Sequence, residues 1–293
     1  RDYYASRGLG DVYKRQADED NAKSGHWGGI IINGKAPISG DKEDKSNTAL
    51  AEINNKYPYG GNNAADNSGV MTYVSICYAG ARSTQDIEHN GLTLNGVGNG
   101  TTIENIYVLE SADDAIEFFG GTVNVKNLLA VNPDDDMFDF TQGYCGTLSN
   151  CYGIWESDYT STEADPRGIE ADGNFDGLYP NHLRQSDFVV DGMTIVNNAA
   201  NTTDNVDRMQ DVIKIRRGAK ATIKNALVKG TGGAIDLVDM NDGKGAGNAA
   251  STISITNSLQ LTGKKLNGEA VLNEAGSNTG ADTSVFGWTK YNF

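Results

Sequence analysis

The chain has 293 residues, 38% of them hydrophobic and 36 of them glycine, so it can bury a sizeable core and is too apolar to be disordered over most of its length. Its 24 basic and 39 acidic residues give a net charge of -15, which argues against a nucleic-acid partner and for an acidic, water-exposed exterior. No transmembrane segment is visible, and three cysteines are too few for a disulfide framework.

Residues 1–16, RDYYASRGLGDVYKRQ, differ in charge and character from the remainder of the chain and resemble a translated sequencing-adapter run. They are expected to be a non-native leader, and they remove any evidence on a signal peptide. Residues 17–293 are expected to form one domain. His26-Trp27-Gly28-Gly29 leads into Ile30-Ile31-Ile32-Asn33-Gly34, a short apolar strand closed by a turn, in which Trp27 belongs to the first-coil core. Residues 39–68, rich in Lys, Asp, Asn and Gly, are predicted to be a long loop or flap. Alternation resumes at Met71-Thr72-Tyr73-Val74-Ser75-Ile76 and again at Gly91-Leu92-Thr93-Leu94.

From Thr101 a pattern repeats: an aliphatic residue, a variable one, an Asn, then a small or apolar residue that restarts the alternation. The copies are Ile103-Glu104-Asn105-Ile106, Val125-Lys126-Asn127-Leu128, Leu148-Ser149-Asn150-Cys151, Ile223-Lys224-Asn225-Ala226 and Ile255-Thr256-Asn257-Ser258, with Val190-Asp191-Gly192-Met193 as a variant. Asn and Gly share a tolerance for positive φ, so each copy is predicted to bend there. A spacing near 22 residues, with β-branched runs of period two, predicts an all-β fold: a single right-handed parallel β-helix, or solenoid, with long loop insertions. Cys151, in the inward position after Asn150, is expected to be a buried free thiol.

A second set of aligned segments is Ile116-Glu117-Phe118, Phe138-Asp139-Phe140, Ile169-Glu170-Ala171, Ile213-Lys214-Ile215 and Ile235-Asp236-Leu237. Each places its charged residue outward, so Glu117, Asp139, Glu170, Lys214 and Asp236 are expected to stack on successive coils about 4.8 Å apart. Asp113-Asp114 and Asp134-Asp135-Asp136 precede two of these strands, which sets Asp114 over Asp136 and widens the acidic face. Three like charges in a column need solvent, a cation or a hydroxyl-bearing ligand between them. About twenty residues inserted between Asn150 and Gly192 carry Trp155, Tyr159 and Tyr179 and are expected beside that face, with further insertions at 197–210 and 241–250. Trp288, Tyr291 and Phe293 are expected to cap the last coil, and His89 and His182 to lie on the surface.

The segments Trp27 to Asn33-Gly34 with Ala36-Pro37-Ile38, Phe118-Phe119-Gly120-Gly121-Thr122-Val123-Asn124, and Asp134-Asp135-Asp136 with Ile169-Glu170-Ala171-Asp172 resemble a family of bacterial surface or secreted right-handed parallel β-helix proteins. That family occurs in Bacteroidota and marine proteobacteria, and the resemblance covers residues 27–293. It implies a fold and an extracellular or outer-surface location, and no catalytic residues. Where such relatives end the acidic strand with Asp-x-Asp, this chain has Asp139-Phe140-Thr141.

The functional expectation is a binding module for glycan or another extracellular polymer, assisted by Ca²⁺. Trp155, Tyr159 and Tyr179 would present rings to sugars beside Glu117 and Asp139, and Asp135, Asp136, Asp139, Glu170 and Asp172 would supply the hard oxygens Ca²⁺ prefers. A second reading is a polysaccharide hydrolase or lyase using Asp113, Asp114 and Asp136, since Asp113-Asp114-Ala115-Ile116 is similar to the paired-Asp strand of polygalacturonases. Against it, none of His26, His89 or His182 stands in the Gly-His-Gly segment those enzymes carry. A third reading is a structural surface or adhesin component.

Overall fold

The computed structural model describes residues 22–43, 45–82, 89–200 and 209–293; residues 1–16, expected to be a leader, and most of the 197–210 insertion lie outside them. Two parallel eight-stranded sheets are stacked over a shared core, as in a parallel β-helix solenoid. The first, of mostly short strands, runs in spatial order through Ile30–Asn33, Leu92–Asn95, Ile116–Phe119, Phe138–Thr141, Ile169–Asp172, Met209–Arg216, Gly233–Asp239 and Gln260–Leu261. The second holds longer strands: Val70–Cys77, Thr102–Leu109, Asn124–Val131, Thr147–Trp155, Asp187–Asn197, Lys220–Lys229, Thr252–Asn257 and Val271–Glu274.

The repeated Asn explains how a long strand serves one core. Ile103 and Ile106 are both fully buried although three residues apart, which a straight strand cannot arrange because its side chains alternate. Asn105, Asn127, Asn150 and Asn225 take φ of 57°, 58°, 53° and 51°, and Gly192 takes 73°, so the strand turns there and the alternation restarts. Tyr73 holds the same column in the first coil, at φ 57°. The bends are tied into a ladder: Asn127 Nδ2 donates to Asn105 Oδ1 at 2.9 Å, and Asn150 Nδ2 to Asn127 Oδ1 at 2.8 Å. Asn257 does not belong to this column. It pairs with Val228, because the register of Thr252–Asn257 shifts past Asn225.

Inside, residues stack coil on coil. Phe118 and Phe140 lie 5.0 Å apart between ring centroids, and Phe140 and Phe188 lie 4.2 Å apart, both pairs nearly parallel. Cys151 is buried and free, as expected, and Cys145 is free as well.

The C-terminal aromatics do not cap the last coil. Residues 279–293 run back along the outside of the long-strand sheet: Thr279 N–H bonds Asn225 Oδ1, Ala281 N–H bonds Thr194 Oγ1, and Asp282 N–H bonds Asn150 Oδ1. The cause is an outward apolar stripe, Leu129, Val131, Tyr152, Ile154 and Val196, which Phe286 covers. Trp288 then meets Tyr73, and Phe293 meets Tyr152. Gly280 is needed for the crossing, since a Cβ there would stand 2.1 Å from Thr194 Oγ1.

Candidate functional site

The outward face of the short-strand sheet forms the floor of a cleft of about 870 Å³. Strand register builds its central column, with Thr93 beside Glu117, Glu117 beside Asp139, Asp139 beside Glu170, and Glu170 beside Lys214. Asp236 is not the next member. It pairs with Asp211, and Lys214 pairs with Asp239, because Gly233–Asp239 sits three residues out of the expected alignment and its Val238, not Ile235, opposes Ile213.

Both long insertions reach this face. The 39–68 segment folds a small antiparallel hairpin, Thr48–Leu50 with Pro58–Gly60, and contributes Leu50, Glu52 and Tyr59 to the wall. It is fastened by the Tyr59 hydroxyl donating to Gln142 Oε1 at 2.7 Å and by His182 Nε2 against Ser46 O at 2.7 Å. His182 is therefore buried and structural, not a surface residue. The second insertion contributes Phe175 and Asp176.

The aspartates that precede the strands also line the cleft. Asp114 lies over Asp136, whose backbone N–H donates to Asp114 Oδ1 at 2.9 Å. In the next coil Arg167 holds the equivalent place, its carbonyl accepting from Met137 N–H. This arginine, 3% exposed, pairs with Glu170 and with Asp165, and stands 3.9 Å from Asp136 and 3.8 Å from Asp211. Glu170 also pairs with Arg216, which reaches Asp172 at 2.6 Å, and Arg217 pairs with Asp172. Half of the acidic column is thus neutralised by guanidinium groups.

The other half is not. Asp114, Glu117 and Asp139 bring carboxylate oxygens within 4.8 Å of one another, and so do Asp113, Asp114 and Asp135. Burial, reinforced by the neighbouring carboxylates, pushes Asp114, Glu117 and Asp136 well above the usual carboxylate range. Burial, with Asp172 nearby, raises Asp139 to about 7 against the opposing pull of Arg216. Asp172 is likewise raised to about 7 by burial, with Arg217 holding it back. Asp136 Oδ1, Asp139 Oδ1 and Asn90 Oδ1 are buried without a hydrogen-bond partner, while Asn90 Nδ2 donates to Glu117 Oε2 at 2.5 Å. Hard oxygens packed this closely suit a cation such as Ca²⁺, and the orphaned oxygens are what such an ion would satisfy.

Of the residues expected to bind metal, Asp135 and Asp139 fall within these clusters and Asp136 lines the cleft, whereas Glu170 and Asp172 are held by arginines. The aromatic trio is distributed differently. Trp155 is 1% exposed and donates its indole N–H to Pro133 O, so it offers no ring to a ligand. Asn150 restarts the alternation and turns Cys151, Gly153 and Trp155 inward. Tyr159 packs against Trp155 and donates to Asp134, and Tyr179 donates to Asp41 O. Phe119, Phe175 and Tyr59 supply the aromatic lining instead. Arg167, Arg216 and Asn90 escaped the sequence reading. Arg216 was within its reach, since it follows Lys214 by two and so shares the outward face.

A third acidic group, Asp211, Asp236 and Asp239, lies further along the same sheet, with Lys214 beside Asp211 at 3.6 Å and paired to Asp239. Among the described residues no helix is long and apolar enough to cross a membrane. Comparisons with curated proteins and with solved structures found no match. The family model described as a pectate-lyase-like β-helix domain matches residues 16–290, nearly the whole solenoid with its cleft. The chain belongs to the pectate-lyase-like β-helix domain family.

Proposed function

We propose that this chain binds an extended polysaccharide in the acidic cleft, outside the cell or on its outer surface, with a divalent cation such as Ca²⁺ held by Asp114, Glu117 and Asp139. The observation that carries the proposal is the cleft itself: a floor of stacked outward side chains, two insertions as walls, and unpartnered carboxylate oxygens inside. A repeating floor matches a repeating polymer, and the family's name points to the same class of ligand. Asp135 lies in the adjoining cluster with Asp113 and Asp114, while Glu170 and Asp172 serve through the arginines they hold.

The test is retention on immobilised polysaccharides with Ca²⁺ or with chelator, read alongside thermal melting. A native-only ion raises stability by mass action, so millimolar Ca²⁺ should raise the melting temperature of the wild type and leave Asp139→Asn unmoved. No shift in the wild type removes the cation, and no retention on any glycan removes the binding function.

One observation favours a second reading, hydrolysis. Asp114, Glu117 and Asp139 bring carboxyl oxygens within 4.8 Å of one another, and glycosidic cleavage uses a pair of carboxyl groups, one of which gives a proton to the leaving oxygen. Release of reducing ends, abolished by Asp114→Asn, would establish it; unsaturated ends would indicate a lyase.

A further inference from the structure

We propose that Asn90 completes the cation seat, its side-chain carbonyl Oδ1 binding the ion directly beside the carboxylates of Asp114, Glu117 and Asp139; this rests on the cation in the reading above. The coils place Asn90 there. It stands two residues before Leu92, as Asp114 stands two before Ile116, and Leu92 pairs with Ile116. Asn90 and Asp114 are therefore neighbours in the column that precedes the strands, with Glu117 in the column alongside. The side chain then turns toward Glu117: Nδ2 donates to Glu117 Oε2 at 2.5 Å and to Thr93 Oγ1 at 3.3 Å.

Two bonds from one amide nitrogen fix which way the amide faces, so nitrogen and oxygen do not exchange places. Asn90 is 3% exposed and lines the cleft, and its Oδ1 has no hydrogen-bond partner among the described residues. A carbonyl buried without a partner is costly until a donor or a cation reaches it. Its neighbours Asp114 and Glu117 offer neither when ionised, because a carboxylate only accepts. A cation held among the three carboxylates supplies what Oδ1 lacks, and a side-chain amide carbonyl is an ordinary Ca²⁺ ligand. Asn90 thus acts twice at one site, with its nitrogen setting the Glu117 carboxylate and its oxygen meeting the ion.

The experiment is calorimetric titration of the full chain with Ca²⁺ alone, at about pH 8 because metal-binding carboxylates must give up their protons. Wild type is compared with Asn90→Ala and Asn90→Asp. Asn90→Ala should bind at least about tenfold more weakly, a loss that would also follow if Asn90 did no more than orient Glu117. Asn90→Asp separates the two roles, since it keeps an oxygen at Oδ1 but cannot donate to Glu117. It should bind Ca²⁺ at least as tightly as wild type, because added ligand charge raises affinity for this ion. A second readout counts ligands directly. With Tb³⁺ in place of Ca²⁺, luminescence lifetimes in H₂O and D₂O give the number of waters on the ion, which should rise by about one in Asn90→Ala and stay at the wild-type number in Asn90→Asp. Asn90→Ser, smaller and still polar, replaces Asn90→Ala should that variant fail to fold. Wild-type affinity in Asn90→Ala, equal falls in the two variants, or an unchanged water count in Asn90→Ala would overturn the ligand assignment and leave the cation standing. No binding of Ca²⁺ by wild type would overturn both.

Discussion

Replacing Asp139 by Asn should stabilise the cation-free protein at pH 8 and do nothing at pH 4. Asp139 holds its proton up to about 7, against an ordinary value of 3.8, because it is buried among other carboxylates. Below about pH 4 both the folded and the unfolded chain keep the proton, and no cost arises. Between there and about 7 the unfolded chain releases it while the fold retains it, so stability falls as pH rises, by about 1.4 kcal/mol per pH unit for one such group. The ceiling is therefore about 4 kcal/mol, reached above pH 7. Asn keeps the shape and, through Oδ1, can accept from Glu117 as Asp139 does, but never carries the charge. At about 2 °C per kcal/mol for a chain of this size, the gain at pH 8 is up to about 8 °C. The assay is thermal melting of wild type and variant across pH 4 to 8 in chelator. A variant less stable than wild type at pH 8, or a gain that does not vanish toward pH 4, would refute the burial of this carboxylate as the source.

Three further outcomes can be checked by denaturation. Asn127→Ala should cost about 2–4 kcal/mol, combining a left-handed residue with a Cβ and two lost ladder bonds, and Asn127→Gly should recover the backbone part. Equal losses for the two would show that the backbone contributes nothing. Glu170→Gln should destabilise by about 3 kcal/mol, because Arg167 is left buried with less neutralising charge. Gly280→Ala should detach the C-terminal segment, seen as a change in Trp288 fluorescence and faster proteolysis after residue 278, with the solenoid intact.

The coil architecture was readable because the Asn residues mark a backbone property, positive φ, that the side chain alone reports. Glu117 and Asp139 were readable for a related reason: period-two alternation names the outward residues on any strand whose register is known, and Asp114 followed from its place just before such a strand, over Asp136. Register is where sequence reasoning stopped. Asp236 fell out of its column, and Asn257 out of the bend series, because the later coils carry insertions and no marker fixes the offset. The arginine pairings were hidden similarly, since Arg167 meets Asp211 across 44 positions of sequence only after three strands align. Trp155 was misplaced because its position in an insertion outweighed the parity that Asn150 imposes.

In a solenoid each coil touches only its neighbours, so the expected failure is peeling from an end, one repeat at a time. The segment 279–293 changes that expectation. It leaves the last coil and fastens in turn to Asn225, Thr194, Asn150 and Tyr73, residues of four different coils. The terminal coil cannot peel without tearing contacts near the far end of the sheet. Fraying of the terminal coil is thereby coupled to coils as far back as the one that carries Tyr73.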